Sequence, residues 1–150
     1  MTVIKTAVIA AALSVAFGGP LFAADAAKDQ HKAERERIQT EAKAARDKCK
    51  DMKGNTKDIC MAEAKGQEQI AKAELALKQK DTPKNRYDVA AAKADAQYNV
   101  AKEKCDDMKG KEKNACQKDA KDARDSAKAQ AKSERDAAEP AKEARTKKAS

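Results

Sequence analysis

The chain has no tryptophan, two tyrosines, two phenylalanines and a single histidine in 150 residues. Both phenylalanines, Phe17 and Phe22, lie in the first 24 positions. From residue 24 onward only twelve of 127 residues are large and apolar: Ile38, Met52, Ile59, Met61, Ile70, Leu75, Leu77, Tyr87, Val89, Tyr98, Val100 and Met108. Twelve such side chains cannot fill a globular core. By composition this is the territory of disordered chains, poor in apolar residues and rich in charge. The shortage of aromatics also tells against specific reading of nucleic acid, which leans on stacking. The lone His31 sits among charged residues, and no glycine-rich phosphate loop or nucleophile with a base beside it is present. The chain therefore reads as no enzyme, and no cofactor is expected.

Charge is nearly missing from the first 24 residues, where Lys5 stands alone. An apolar run from Thr6 to Phe17 is broken by Gly18-Gly19-Pro20, and small residues follow. This layout is that of a secretory signal peptide over residues 1–23, cut after Ala23 or Ala26. The run is short for a membrane span of about 20 residues, so no transmembrane segment is expected after processing. Removing residues 1–23 leaves 32 basic and 25 acidic side chains, an excess of 32 − 25 = +7.

Alanine fills 29 of those 127 positions, and Lys, Glu, Arg and Gln fill many others. These are the strong helix formers. The expected fold is all-α: long polar helices held by local staples.

The staples come from a twelve-residue phrase that occurs twice, Cys49–Cys60 and Cys105–Cys116, 56 residues apart. Together the two copies hold all four cysteines. In each, Met follows the first Cys by three residues and Gly follows it by five. The first helix is expected from about Ala26 to Lys53 and the second from about Thr56 to Lys80. Gly54 supplies the left-handed position that ends a helix, with Asn55 or Thr56 as the next cap. Gly110 repeats this between a third helix, about Pro83 to Lys109, and a fourth, about Glu112 to Glu139. In a hairpin folded at Gly54, Cys49 and Cys60 stand at nearly the same height, and Cys105 and Cys116 repeat this about Gly110. Local pairing needs the least rearrangement, and each bridge would add about 3 kcal/mol. Bridges across the repeats, a zinc site and a redox pair are the alternatives. The cysteine spacing suits neither of the last two well. The bridges imply an oxidising compartment.

Asp81-Thr82-Pro83 is the clearest boundary, with Thr82 as N-cap and Pro83 at the first helical position. It divides hairpin repeat 1, residues 24–81, from hairpin repeat 2, residues 82–139. Pro140 is expected to stop or kink the last helix, leaving a disordered basic tail over 140–150. Gly66 is either a weak point in the second helix or a place where a neighbouring helix comes close. The best periodicity is Tyr87, Ala91, Ala94, Tyr98, Ala101, Cys105 and Met108, in steps of four and three. This seam could pack within the chain or against another copy, and it is the candidate interaction surface.

Two stretches carry a resemblance: Thr82-Pro83-Lys84-Asn85-Arg86-Tyr87-Asp88 and Val100-Ala101-Lys102-Glu103-Lys104-Cys105-Asp106-Asp107. With Cys49–Lys65, they resemble small Ala/Lys-rich exported proteins of beta-proteobacteria, often labelled TolA-like or cell envelope biogenesis proteins. The likeness covers about residues 34–125. It implies a Gram-negative periplasmic location and an elongated helical shape rather than a mechanism. TolA's retained anchor and globular C-terminal domain are not expected here. The second copy has Gln117-Lys118-Asp119 where the first has Met61-Ala62-Glu63, which tells against symmetric packing of the two halves.

The functional expectation is a non-enzymatic envelope protein that binds a partner protein or spaces components. An alternative is a polyanion-binding or stress-protective protein acting through its positive charge on an anionic polymer. A small helical chaperone is a third reading, disfavoured by the scarcity of apolar surface.

Overall fold

The computed structural model describes the backbone of residues 20–148 and the side chains of residues 28–138. The proposed signal peptide lies outside the described residues except for Pro20–Ala23, which open the first helix. Four helices follow in chain order: α1 Pro20–Lys48, α2 Gly54–Gln79, α3 Pro83–Cys105 and α4 Gly110–Lys148. No strand occurs among the described residues, so the expected all-α class holds.

The helices form an open row. Among the described residues α1 packs on α2, α2 on α3 and α3 on α4, and no other pair of helices touches. Each turn reverses the chain. The α1–α2 and α3–α4 turns therefore share one end of the row, and the α2–α3 turn occupies the other. Two stapled hairpins stand side by side, joined through the α2/α3 contact.

The core of this row is small. Its buried apolar residues are Ile38, Ala42, Cys49, Ala64, Leu75, Val89, Ala94, Ala96, Cys105 and Ala131. Half of them are alanines. Cys49 and Cys105 are the largest side chains with no exposure at all. Where a larger protein would bury Leu and Phe, this one buries its own sulfur.

α2 and α3 come closest at Gly66. A Cβ there would stand 2.7 Å from the Ala96 Cβ. The missing side chain lets the two backbones approach, so Gly66 is a contact point rather than a weak spot. Lys93 adds an ion pair to Glu74 across the same interface at 2.9 Å.

Reciprocal asparagines pin both ends of this interface. At the start of α3, Asn85 donates from Nδ2 to the Lys80 and Ala76 carbonyls, at 2.7 and 3.1 Å, at the end of α2. At the start of α2, Asn55 donates from Nδ2 to the Glu103 carbonyl near the end of α3, at 2.7 Å. The Ala76 and Glu103 carbonyls already accept from the Lys80 and Asp106 N–H groups, and each asparagine adds a second donor at a helix end. Asn55 is therefore a bridge between hairpins and not the cap expected of it. The residue before α2, Lys53, makes no side-chain cap bond. The Thr82 cap is as expected: its hydroxyl accepts from the Asn85 N–H at 3.1 Å, with Pro83 beginning the helix.

Three helix ends differ from expectation. α1 ends at Lys48 and α3 at Cys105, about one turn before the glycines. Gly54 and Gly110 have φ of +57° and +55°, the left-handed values expected, but they open α2 and α4 instead of closing the helices before them. The residues between form tight turns, with Met52 N–H donating to Cys49 O and Met108 N–H to Cys105 O. The third difference is Pro140. α4 runs through it to Lys148, so the expected stop and the disordered tail over 140–148 are corrected. The missing proline N–H removes one intrahelical bond, while the surrounding Ala, Lys, Glu and Arg all favour helix.

Candidate functional site

The stapled end of the row gathers most of the sequence motif. Cys49 bonds Cys60 and Cys105 bonds Cys116, each with Cα atoms 5.7 Å apart. Local pairing is thus the arrangement present, and no cysteine is free. The separation lies inside the range a disulfide accepts and well below the usual 8–10 Å between helix axes. Cα atoms on facing sides of two helices stand closer than the helix axes, each lying about 2.3 Å from its own axis. Among the described residues no group of three or more His, Cys, Asp or Glu could hold a metal ion.

The two tips are alike but not identical. In the first, Lys57 Nζ reaches the Lys50 carbonyl at 3.4 Å. In the second, Lys113 pairs with Asp106 at 3.0 Å and Gln117 donates to the same carboxylate at 3.1 Å. Lys113 and Gln117 hold the Asp106 carboxyl below its ordinary range, the lysine contributing most.

The Tyr87–Met108 seam divides. Ala94 and Cys105 are buried, while Tyr87, Ala91, Tyr98 and Ala101 are half-buried. Tyr98 lies under the guanidinium of Arg124, 4.4 Å from the ring centroid, and Tyr87 under that of Arg135, 4.9 Å away. Both arginines are on α4, so the tyrosines stack within the chain. Lys128 adds an ion pair to Asp95 at 2.9 Å. Met108 drops out of the seam. It is 43% exposed because α3 ends three residues earlier and the helical period no longer governs where its side chain points.

A second stripe on α3, not identified from sequence, meets α2: Asn85, Val89, Lys93, Ala96, Val100 and Glu103. It is offset from the first by two residues, about 200° of rotation at 3.6 residues per turn. The two stripes lie on nearly opposite sides of the helix, which is why α3 has a neighbour on each flank, α2 on one and α4 on the other. The signal lay in Val89, Ala96 and Val100, which share a helical face.

In the first hairpin ion pairs replace the aromatic stacks. Arg46 on α1 donates to Glu68 on α2, and Lys72 donates to the same carboxylate at 2.6 Å. The two cations, Lys72 foremost, hold the Glu68 carboxyl below its usual range. Further along, an open groove between α1 and α2 is lined by His31, Glu34, Arg37, Leu75 and Lys78. Another, between α2 and α3, is lined by Ile70, Ala96 and Val100.

No helix among the described residues is long and apolar enough to cross a membrane. Comparison with protein-family models, with curated proteins and with solved structures gives no significant match.

Proposed function

We propose that this is a non-enzymatic protein of an oxidising cell-envelope compartment, exported and acting as a structural or protein-interaction element. One observation carries the reading: both cysteine pairs are closed within their own hairpins, in a chain whose largest fully buried side chains are two of those cysteines. Such a protein suits a compartment where disulfides persist. The apolar start of the sequence and the resemblance to exported TolA-like proteins support a periplasmic location. Exposed helix faces and open grooves suit contact with a macromolecule better than conversion of a small substrate.

Cell fractionation followed by cross-linking and pull-down from the intact envelope tests this. The expected result is recovery in the periplasmic fraction with both bridges formed, cross-linked to an envelope protein. Recovery in the cytosol with reduced cysteines would overturn it.

The net charge of +8 favours a second reading, attraction to an anionic polymer. A salt titration separates the two. Polyanion binding falls steeply with ionic strength, whereas docking through packed side chains persists.

A further inference from the structure

Seven of twelve positions are the same in the two copies of the cysteine phrase. The four cysteines form the bridges, and Gly54 and Gly110 hold the positive φ. Lys57 and Lys113 reach back across their turns. Three shared positions remain: Asp51 and Asp107, Met52 and Met108, Lys53 and Lys109. All six residues are exposed.

The methionines stand out among them. At 39% and 43%, Met52 and Met108 are the exposed large hydrophobic residues of the described chain. Neither fills the core, yet both copies keep them while Lys50, Asn55, Thr56, Asp58 and Ile59 have changed. Their backbones are fixed, Met52 N–H donating to Cys49 O at 3.2 Å and Met108 N–H to Cys105 O at 3.0 Å. The Asn55–Glu103 bond fastens the two turns at the same end of the row.

The state of the other sulfur atoms sharpens the point. Every cysteine is already oxidised to a disulfide, and Cys49 and Cys105 have no exposure. Met61, on α2, is half-buried. Among the described residues the reduced sulfur most open to solvent is the pair of thioethers at the tips.

We propose that Met52 and Met108 are paired, reversible oxidant-accepting sites, each taking one oxygen atom from a peroxide. The sulfur lone pair attacks one peroxide oxygen as the O–O bond breaks. The sulfur loses two electrons and becomes a sulfoxide. The peroxide is reduced, and the departing oxygen takes the proton of the transferred hydroxyl to leave as water or an alcohol. Each tip changes from apolar to polar. Because neither methionine packs in the core, the helices are unaffected. Methionine sulfoxide reductases, using a thiol reductant, reverse the step. This inference stands independently of the proposed partner role.

The test uses the full chain with both bridges intact, treated with graded hydrogen peroxide and followed by peptide mass mapping and circular dichroism. Met52 and Met108 are expected to gain one oxygen each at similar rates, several-fold faster than Met61, with helicity unchanged. Methionine sulfoxide reductases should then remove that oxygen. A Met52→Leu/Met108→Leu variant should keep its helicity and bridges while taking up oxygen several-fold more slowly. Equal oxidation of Met61, loss of helicity in step with tip oxidation, or tip sulfoxides that resist the reductases would each overturn the proposal.

Discussion

Single residues in this protein act mainly through the space they leave empty. Gly66 is the clearest case. Gly66→Ala gains about 1 kcal/mol of helix propensity but places a methyl 2.7 Å from the Ala96 Cβ, an overpacking that costs about 1–3 kcal/mol. The variant should melt at a lower temperature than the parent. Adding Ala96→Gly should recover much of the loss, and a thermal-melt double-mutant cycle reads the coupling. Gly54 and Gly110 present a different problem. Nothing lies within 4 Å of a Cβ at either position, so Gly54→Ala and Gly110→Ala meet no clash. Their penalty is the left-handed backbone alone, about 1–2 kcal/mol each. Chemical denaturation should give that loss for both, with Asn at either position milder than Ala.

Among the elements, α2 and α3 join the hairpins, and the contacts of α3 explain what could be read in advance. The Tyr87–Cys105 stripe was legible because its spacing is regular and its tyrosines are conspicuous. The stripe toward α2 was not, since Asn85, Lys93 and Glu103 interrupt it with polar residues; the Asn85 and Lys93 side chains and the Glu103 carbonyl bond across the interface. The cysteine pairing was legible because the glycines set both bridges at one height. The helix ends were not, because Cys49–Lys53 and Asp106–Lys109 form turns whose bonds a periodic pattern does not reveal. Asn55 looked like a cap for its own helix, and its actual acceptor lies 48 residues away. Removing these pins is a prediction about elements. Asn55→Ala and Asn85→Ala should each destabilise by about 1 kcal/mol. Hydrogen exchange should quicken at the α2/α3 contact before it quickens at either stapled turn; faster exchange at the staples first would contradict this role for the asparagines.

At the scale of the whole molecule, the row ends where its faces turn small or polar. Shifting by one repeat, the α2 positions Gly66 and Ile70, which meet α3, become Asp122 and Ser126 on α4. The α3 positions Val89, Ala96 and Val100, which meet α2, become Ala33, Thr40 and Ala44 on α1. All five replacements are exposed. Polar outer faces cap a stack of repeats, so sedimentation of the oxidised chain should report a monomer rather than an open-ended assembly. Acid should loosen the row. The Glu68 carboxyl is held low by Lys72 and Arg46, so the folded chain binds that proton more weakly than the unfolded one. The stabilisation is complete above the ordinary glutamate value of about 4.3 and is lost as pH falls through the folded value. Glu68→Gln should flatten that part of the acid limb in a pH-dependent melt. With so few large side chains to bury, the disulfides supply what the core does not, about 3 kcal/mol for each short loop. The most direct measurement compares thermal melts of the oxidised chain with those of the same chain reduced and alkylated at all four cysteines. A large fall in melting temperature and helicity is the predicted result. Matching melts would contradict the claim that sulfur bridges hold this fold together.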